Sequence, residues 1–189
     1  MYNHKGYRKF VNLRNGMRVM LRFLSENDRE GLVQMFQETP EEDARFLKQD
    51  VRDVGLVGSW VDDLDYNKVL PIVAVEFDSK RIIASATLHK GKDAARHIAE
   101  VRIFISRPLR NLGLGSTMLD ELIALAGKEG LQWLKAEVIA EQTKVIKAFR
   151  EKGFEAKITL DDYFIRKDGV THDVVLMIRP VMTREEAEF

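Results

Sequence analysis

The stretch that most constrains the fold is residues 97–130, which join an extended apolar run to a glycine turn and a helix-forming run. The first part, "HIAEVRIFIS" (97–106), predicts a strand with apolar side chains on both faces. The turn "RNLGLG" (110–115) places two glycines directly before an amphipathic helix predicted over 115–128. A strand, a glycine turn and a helix in succession indicate an α/β fold.

The flanking segments extend this pattern to a mixed sheet. "PIVAVEF" (71–77) and "RIIASATLH" (81–89) surround a short polar turn and predict a hairpin. We predict further strands over 17–24 and 131–139, two strands within 155–180 joined at Asp168-Gly169, helices over 26–37, 40–51 and 142–153, and a helical turn over 59–65. The order β-α-α-β-β-β-α-β-α-β-β contains too many hairpins for a Rossmann domain.

We interpret residues 17–180 as one domain, residues 1–16 as a basic tail and residues 181–189 as a C-terminal tail. Lysines plus arginines number 30 and so do aspartates plus glutamates, so no overall charge attracts nucleic acid or an anionic membrane. The chain has no cysteine, which excludes thiolate chemistry and suits a reducing cytoplasm. No apolar run follows the basic opening residues, which argues against a signal peptide.

The glycine turn fits one of three phosphate-binding patterns. A P-loop requires a lysine after its second glycine, and Ser116 follows Gly115 here. A dinucleotide fingerprint requires a third glycine or alanine, and Met118 stands at that position. The pattern Arg/Gln-x-x-Gly-x-Gly/Ala fits from Arg110 to Gly115 without a gap. Glycines let backbone N–H groups approach an anion, and the following helix start attracts negative charge. A glycine turn that only caps a helix is the alternative.

Three segments in this order resemble the GNAT superfamily of acyl-CoA-dependent N-acetyltransferases. They are "AEVRIFI" (99–105), "RNLGLG" (110–115) and "AEVIAEQTKVIKAFREKGF" (136–154). The opening "MRVMLRFLSENDREGLVQMF" (17–36) is similar to the first strand and helix of the bacterial protein-lysine acetyltransferase branch. The resemblance implies the GNAT fold, in which helices flank a mostly antiparallel mixed sheet that splays between its middle parallel strands.

The resemblance also implies a site for acetyl-CoA or another acyl-CoA as co-substrate, with no metal. Backbone groups of Ile103, Phe104 and Ile105 are expected to pair with the pantetheine arm. Arg107 and Arg110 are expected to screen the diphosphate. The remaining predicted contacts are the loop residues Arg110, Asn111, Leu112, Gly113, Leu114, Gly115 and Ser116, and the later residues Gln142, Ile146 and Phe149.

Glu100 matches the position of the family's glutamate base, and the alternative is that it only pairs with Arg102 two residues on. Phe149 stands where many members have a tyrosine that protonates the thiolate, so that acid is lacking or is supplied by another residue such as Tyr163. His89 and His97 are weaker candidates, and His172-Asp173 is expected to be structural because neighbours on a strand face opposite ways.

The predicted reaction is acyl transfer to a primary amine, a protein lysine first and a small-molecule amine or amino acid second. The acids of "PEEDARFLKQD" (40–50) and "WVDDLD" (60–65) are candidates for attracting that amine, with helix solvation as the alternative. A non-catalytic acyl-CoA sensor and a plain interaction domain are the other hypotheses. A homodimer is possible by analogy with relatives.

Overall fold

A computed structural model describes residues 6–166 and 168–181. Its strands are β1 Arg8–Asn12, β2 Arg18–Phe23, β3 Val69–Glu76, β4 Ile82–Lys90, β5 Ile98–Ile105, β6 Trp133–Ile139, β7 Glu155–Ile165 and β8 Thr171–Pro180. Its helices are α1 Arg29–Gln37, α2 Glu41–Ala44, α3 Val54–Asp62, α4 Leu114–Lys128 and α5 Thr143–Glu151. The predicted C-terminal tail lies outside the described residues from position 182 onward.

The chain forms two compact units. Unit 1 contains residues up to 88 together with 102–119, and unit 2 contains residues 89–101 together with those from 120 onward. Strand β5 and helix α4 each begin in one unit and end in the other. Within the described ranges the eight strands make a mixed, mostly antiparallel sheet with one parallel pair, flanked by helices, as the fold prediction states.

Unit 1 carries the strand order β1-β2-β3-β4. Strand β1 pairs antiparallel with β2 from Arg8↔Arg22 to Asn12↔Arg18. The interpretation of residues 1–16 as a tail is therefore wrong for residues 8–12. Asn15-Gly16 is a hairpin signal that this interpretation overlooked, and Gly16 takes the positive φ of 83° that such a turn requires.

The helices of unit 1 cover one face of its strands. Buried apolar side chains from α1, α3, β3, β4, β5 and two loop positions form one cluster: Leu24, Leu32, Met35, Phe36, Val51, Val57, Val61, Val73, Val75, Ile82 and Phe104. The predicted helix over 40–51 is wrong in length, because only the turn Glu41–Ala44 is α-helical. Conversely, the first four residues of the turn predicted over 59–65 belong to the longer helix α3, which ends at Asp62. Asp53 caps this helix by accepting a hydrogen bond from the Leu56 N–H at 3.0 Å.

Unit 2 carries the order β5-β6-β8-β7, where the part of β5 up to Val101 belongs to this unit. Strand β6 is antiparallel to β8 along its whole length, from Trp133↔Pro180 to Ile139↔Val174. Its parallel pairing with β5 is short and ends at Glu100↔Lys135. Strand β6 continues beyond the last pair that it makes with β5, as expected if the two strands diverge there.

The predicted elements between residues 106 and 181 are confirmed. The stripe of α4 is buried at Met118, Leu119, Leu122 and Leu125. Gly130 follows this helix with a φ of 71°, and Gly169 in the β7–β8 turn has a φ of 83°. No helix in the described part of the chain is both long and apolar enough to cross a membrane.

A buried ion pair fixes the passage from β2 into α1. Asp28 accepts hydrogen bonds from both terminal nitrogens of Arg22 at 2.6 Å, and from the Ser25 N–H at 2.7 Å. The Ser25 hydroxyl donates to the same carboxylate at 2.9 Å, so Ser25 and Asp28 form a capping box before α1. Burial alone would raise the pKa of Asp28, but the bonds from Arg22 and Ser25 hold that pKa below its ordinary value.

Candidate functional site

The glycine turn of unit 1 changes direction through two backbone positions with positive φ. A 3-10 turn over Arg107–Leu109 leads into Asn111, with a φ of 63°, and Gly113, with a φ of 91°. Helix α4 then begins at Leu114. Both the N–H and the hydroxyl of Thr117 donate to the Gly113 carbonyl, at 3.1 and 3.2 Å. The turn is therefore closed on its helix side by a residue that the sequence prediction did not include.

This turn exposes donors of the kind that bind anions. The first N–H groups of an α-helix have no intrahelical partner, and here they belong to the residues from Leu114 onward. A Cβ atom on Gly115 would lie 2.9 Å from the Ile105 Cδ1 atom. Glycine at this position therefore allows the loop to lie close against the end of β5. The anion-binding role of residues 110–116 stays a prediction.

Both arginines of the turn are held by one acidic residue that sequence reasoning had not linked to it. Arg107 donates to the two oxygens of Asp43 at 3.0 and 2.9 Å, and Arg110 donates to the same two oxygens at 3.1 and 3.0 Å. The hydrogen bonds from Arg107, and then those from Arg110, outweigh burial and lower the pKa of Asp43. Asp43 is therefore a carboxylate at neutral pH, with about 10% of its side chain exposed.

This pairing changes the interpretation of two predictions. Glu42 also accepts a hydrogen bond from Arg107, at 2.8 Å, so two of the acids proposed to attract an amine are already neutralised. Arg110 also donates to the Ile105 carbonyl at 3.1 Å. A direct role for Arg107 and Arg110 at a diphosphate stays a prediction. Asp43 and Arg107 are 64 residues apart, so the sequence alone gives no sign that they are in contact.

The end of β5 in unit 1 has one buried and two half-buried side chains. Phe104 packs on Phe36 with ring centroids 4.9 Å apart, within the apolar cluster of that unit. Ile103 and Ile105 are half-buried. The Phe104 side chain is therefore part of the core, and only its backbone matches the predicted role in binding a cofactor.

Glu100 lies in unit 2 as a buried carboxylate beside a lysine. It is 9% exposed, and its Oε2 atom is 3.5 Å from the Lys135 Nζ atom on the neighbouring parallel strand. Lys135 also contacts Glu137 at 3.2 Å. Burial alone would lower the pKa of Lys135, but the Glu137 hydrogen bond and the charges of Glu100 and Glu137 raise it above its ordinary value. The sequence indicated Arg102 as a partner of Glu100 and missed Lys135, because the register of two parallel strands is not visible in it.

Helix α5, also in unit 2, presents the later predicted residues. Gln142 precedes its first turn, and Ile146 and Phe149 are 9% and 7% exposed. Phe149 packs edge-on against Phe154 with ring centroids 4.9 Å apart. Tyr163, the alternative proton donor, lies on β7 with 58% of its surface exposed.

Two histidines of unit 2, His97 and His172, make hydrogen bonds. His97 precedes β5, and its carbonyl accepts from the N–H groups of Gln132 and Trp133. The Nδ1 atom of His172 lies 2.8 Å from Glu141, and this bond lowers the pKa of Glu141. Asp173 accepts instead from the Asp162 N–H, as expected if neighbouring side chains face opposite ways. Among residues 6–166 and 168–181 no three His, Cys, Asp or Glu side chains form a group able to hold a metal ion.

Comparisons of the sequence with known proteins indicate the same family. The model of the Acetyltransferase (GNAT) family matches residues 30–154. The Bacillus subtilis (strain 168) protein YwnH, whose name describes it provisionally as a phosphinothricin acetyltransferase, is 28% identical over 111 residues, which is 58% of this chain and 68% of that protein.

Solved structures share the fold. The GNAT domain of S. lividans PAT superposes with a TM-score of 0.77 at 22% identity, covering 95% of this chain and 99% of that one. A GNAT superfamily phosphinothricin acetyltransferase (Pat) from Sinorhizobium meliloti, solved with AcCoA, gives a TM-score of 0.70 at 20% identity over 86% of this chain and 88% of that one. The glycine turn, the fold and the matched family model agree: this chain is an N-acyltransferase and belongs to the GNAT acetyltransferase family.

Proposed function

We propose that this protein transfers an acetyl group from acetyl-CoA to a primary amine. The observation that carries the proposal is the glycine turn that opens α4, where Gly113 has a φ of 91° and the helix begins directly afterwards. The first N–H groups of a helix have no intrahelical partner and are suited to bind an anion. The diphosphate of the co-substrate is bound by the loop 110–116, and its pantetheine arm pairs with the backbone of residues 103–105. Gln142, Ile146 and Phe149 complete the proposed contacts. The relative from Sinorhizobium meliloti, solved with AcCoA, supports this choice of co-substrate.

The reaction needs an uncharged amine, and this requirement gives Glu100 its proposed role. An alkyl ammonium has a pKa near 10.4, so its deprotonation at pH 7 costs about 4 to 5 kcal/mol. Glu100 accepts that proton, directly or through a water molecule, as the amine nitrogen attacks the thioester carbon. A new C–N bond forms and the C–S bond breaks. The Lys135 ammonium group lies 3.5 Å from Glu100, so the proposed base has a positive charge beside it.

The departing sulfur does not require a strong acid. A thiol has a pKa of about 8.5, so its anion leaves readily near neutral pH. This is consistent with Phe149, which has no proton to donate, at the position of the family's tyrosine. We therefore assign the larger share of the rate enhancement to positioning of amine and thioester, which reaches effective molarities of about 10⁵ M or more in well-oriented systems.

For the acceptor we propose a protein lysine in the cytoplasm, with a small-molecule amine or amino acid as the alternative. Structurally similar proteins include acetyltransferases named for phosphinothricin, ribosomal-protein alanine and spermidine, all of which carry an amino group. The similarity of residues 17–36 to the protein-lysine branch favours the first choice.

A panel of acceptors separates these substrates. We expect lysine-containing peptides to release CoA faster than spermidine, free amino acids or phosphinothricin at equal concentration, with mass spectrometry showing acetyl groups on lysine side chains. Peptides with a blocked N-terminus and no lysine are the control. If a small amine is the fastest acceptor and the peptides stay unmodified, the alternative replaces the lysine assignment while acetyl transfer itself stands.

The cofactor loop is tested by replacing Gly113 with alanine. A residue with a Cβ atom is strained at this φ, so the backbone is expected to rotate and to misdirect donors that face the diphosphate. Loss of charge-assisted hydrogen bonds of about 1.5 to 3 kcal/mol predicts an acetyl-CoA Kd about 10- to 100-fold higher, measured by calorimetry.

Gly16→Ala is the matched control for that loop substitution. Its φ is 83°, and a Cβ atom would meet nothing within 4 Å, as at Gly113. It should therefore cost similar folding stability and leave the Kd unchanged. Equal acetyl-CoA binding by the wild type and Gly113→Ala would contradict the proposed role of the turn.

A further inference from the structure

Asp43 holds the glycine turn from outside through two arginines. Its two oxygens receive four hydrogen bonds of 2.9 to 3.1 Å from Arg107 and Arg110, and each guanidinium meets the carboxylate with two of its nitrogens. Such two-point contacts fix the direction of a guanidinium as well as its distance. All three residues belong to unit 1.

The same arginines are tied to the backbone around the turn. Arg110 donates a further hydrogen bond to the Ile105 carbonyl at 3.1 Å, which links the end of β5 to the residue that starts the loop. On the other side of the loop the Arg14 N–H donates to the Leu112 carbonyl at 3.3 Å. The loop is thus supported before and after Asn111, which itself has a positive φ of 63°.

These supports bear on what the arginines do. Three of the five N–H donors of Arg110 already point to Asp43 and Ile105, and three donors of Arg107 contact Asp43 or Glu42. Both arginine side chains therefore point toward acceptors on the protein itself. A conformation in which Arg110 binds a phosphate with its full fork requires these bonds to break first.

We propose that Asp43 is a positioning residue for acetyl-CoA binding, which acts through Arg107 and Arg110 to hold the diphosphate loop in its binding conformation. This inference rests on the proposed function of the loop. It assigns the arginines to the support of the loop, and it leaves the contact with phosphate to the backbone N–H groups. It also links the turn Glu41–Ala44 to the co-substrate.

The test is the acetyl-CoA affinity of Asp43→Asn, which keeps the size of the side chain and removes its charge. Because a misplaced binding loop weakens contacts made far from the substitution, we expect the Kd and KM for acetyl-CoA to rise about tenfold while kcat at saturation stays within about twofold. Glu42→Gln is the matched control: it removes the charge of a more exposed partner of Arg107 and should change the Kd less than about twofold. If Asp43→Asn does not fold, Asp43→Ser is measured in its place.

Two results would overturn the inference. If Asp43 instead withholds the arginines from the phosphates, removing its charge frees two cations and the Kd falls. If Asp43 only stabilises the fold, the melting temperature of the variant falls and the Kd, measured well below that temperature, equals that of the wild type. Both outcomes differ from failure of the proposed function, in which the wild-type protein itself does not bind acetyl-CoA.

Discussion

Replacing Glu100 with glutamine is expected to lower kcat/KM for acetyl transfer at pH 7 by about 10²- to 10⁴-fold, the usual contribution of a general base. The amide keeps the shape of the side chain but does not accept a proton from the amine. Binding of acetyl-CoA should stay within about twofold, because the proposed contacts with the co-substrate lie elsewhere on the chain. Steady-state kinetics with a primary amine, together with calorimetry for acetyl-CoA, measures both quantities.

The pH dependence of this variant gives a second readout. Below the amine pKa of about 10.4, each pH unit raises the uncharged fraction tenfold, so the rate of Glu100→Gln should climb steadily toward pH 9. The matched control is Glu137→Gln, since Glu137 is the other carboxylate that contacts Lys135, at 3.2 Å. If Glu137→Gln lowers activity as much as Glu100→Gln does, the loss comes from the changed charge around Lys135. Glu100 would then not be the general base.

The second large effect is on stability, for Asp28→Asn. Asp28 is 6% exposed and binds Arg22 through both oxygens, so the substitution leaves a half-buried guanidinium without its charged partner. We expect the free energy of unfolding at pH 7 to fall by about 3 kcal/mol, measured by urea denaturation. Asp62→Asn removes the exposed pair with Arg29 and should cost less than about 1 kcal/mol.

Acidification should remove this contribution of Asp28. Its folded-state pKa is below the ordinary value near 3.9, so the stabilisation is complete above that value and is lost as the pH falls toward the folded pKa. The difference in unfolding free energy between the wild type and Asp28→Asn should therefore be constant from pH 5 to 7 and shrink below about pH 4. A difference that stays constant down to pH 2 would contradict the role given to the ionised pair.

The elements from β5 to β8 could be predicted because their signals are local. A strand followed by glycines, the stripe of α4 and a glycine after each of α4 and α5 mark boundaries that tertiary packing does not move. Helix α3 was harder to predict from the sequence, because it contains Gly55 and Gly58 and glycine is a poor helix former. A Cβ atom at Gly58 would collide with a terminal nitrogen of Arg29, so glycine leaves room for this guanidinium where it bonds Asp62.

The partners of the proposed site residues could not be predicted, because they depend on register and on distant contacts. Lys135 reaches Glu100 only because Glu100 pairs with it across two parallel strands. Asp43 reaches Arg107 and Arg110 across more than 60 residues, from a segment that the sequence suggested was a longer helix. The glycine turn, by contrast, carries its chemistry in consecutive residues, so the sequence alone was enough to indicate it.

A crystal structure of the protein with acetyl-CoA tests most directly the claim that the turn binds the co-substrate. We expect diphosphate oxygens about 3 Å from the backbone nitrogens of Gly113, Gly115 and Ser116. We also expect Arg110 to be bonded to Asp43 in that complex. A loop that stays empty at saturating acetyl-CoA, or a diphosphate bound elsewhere on the chain, would show that the turn is not the co-substrate site.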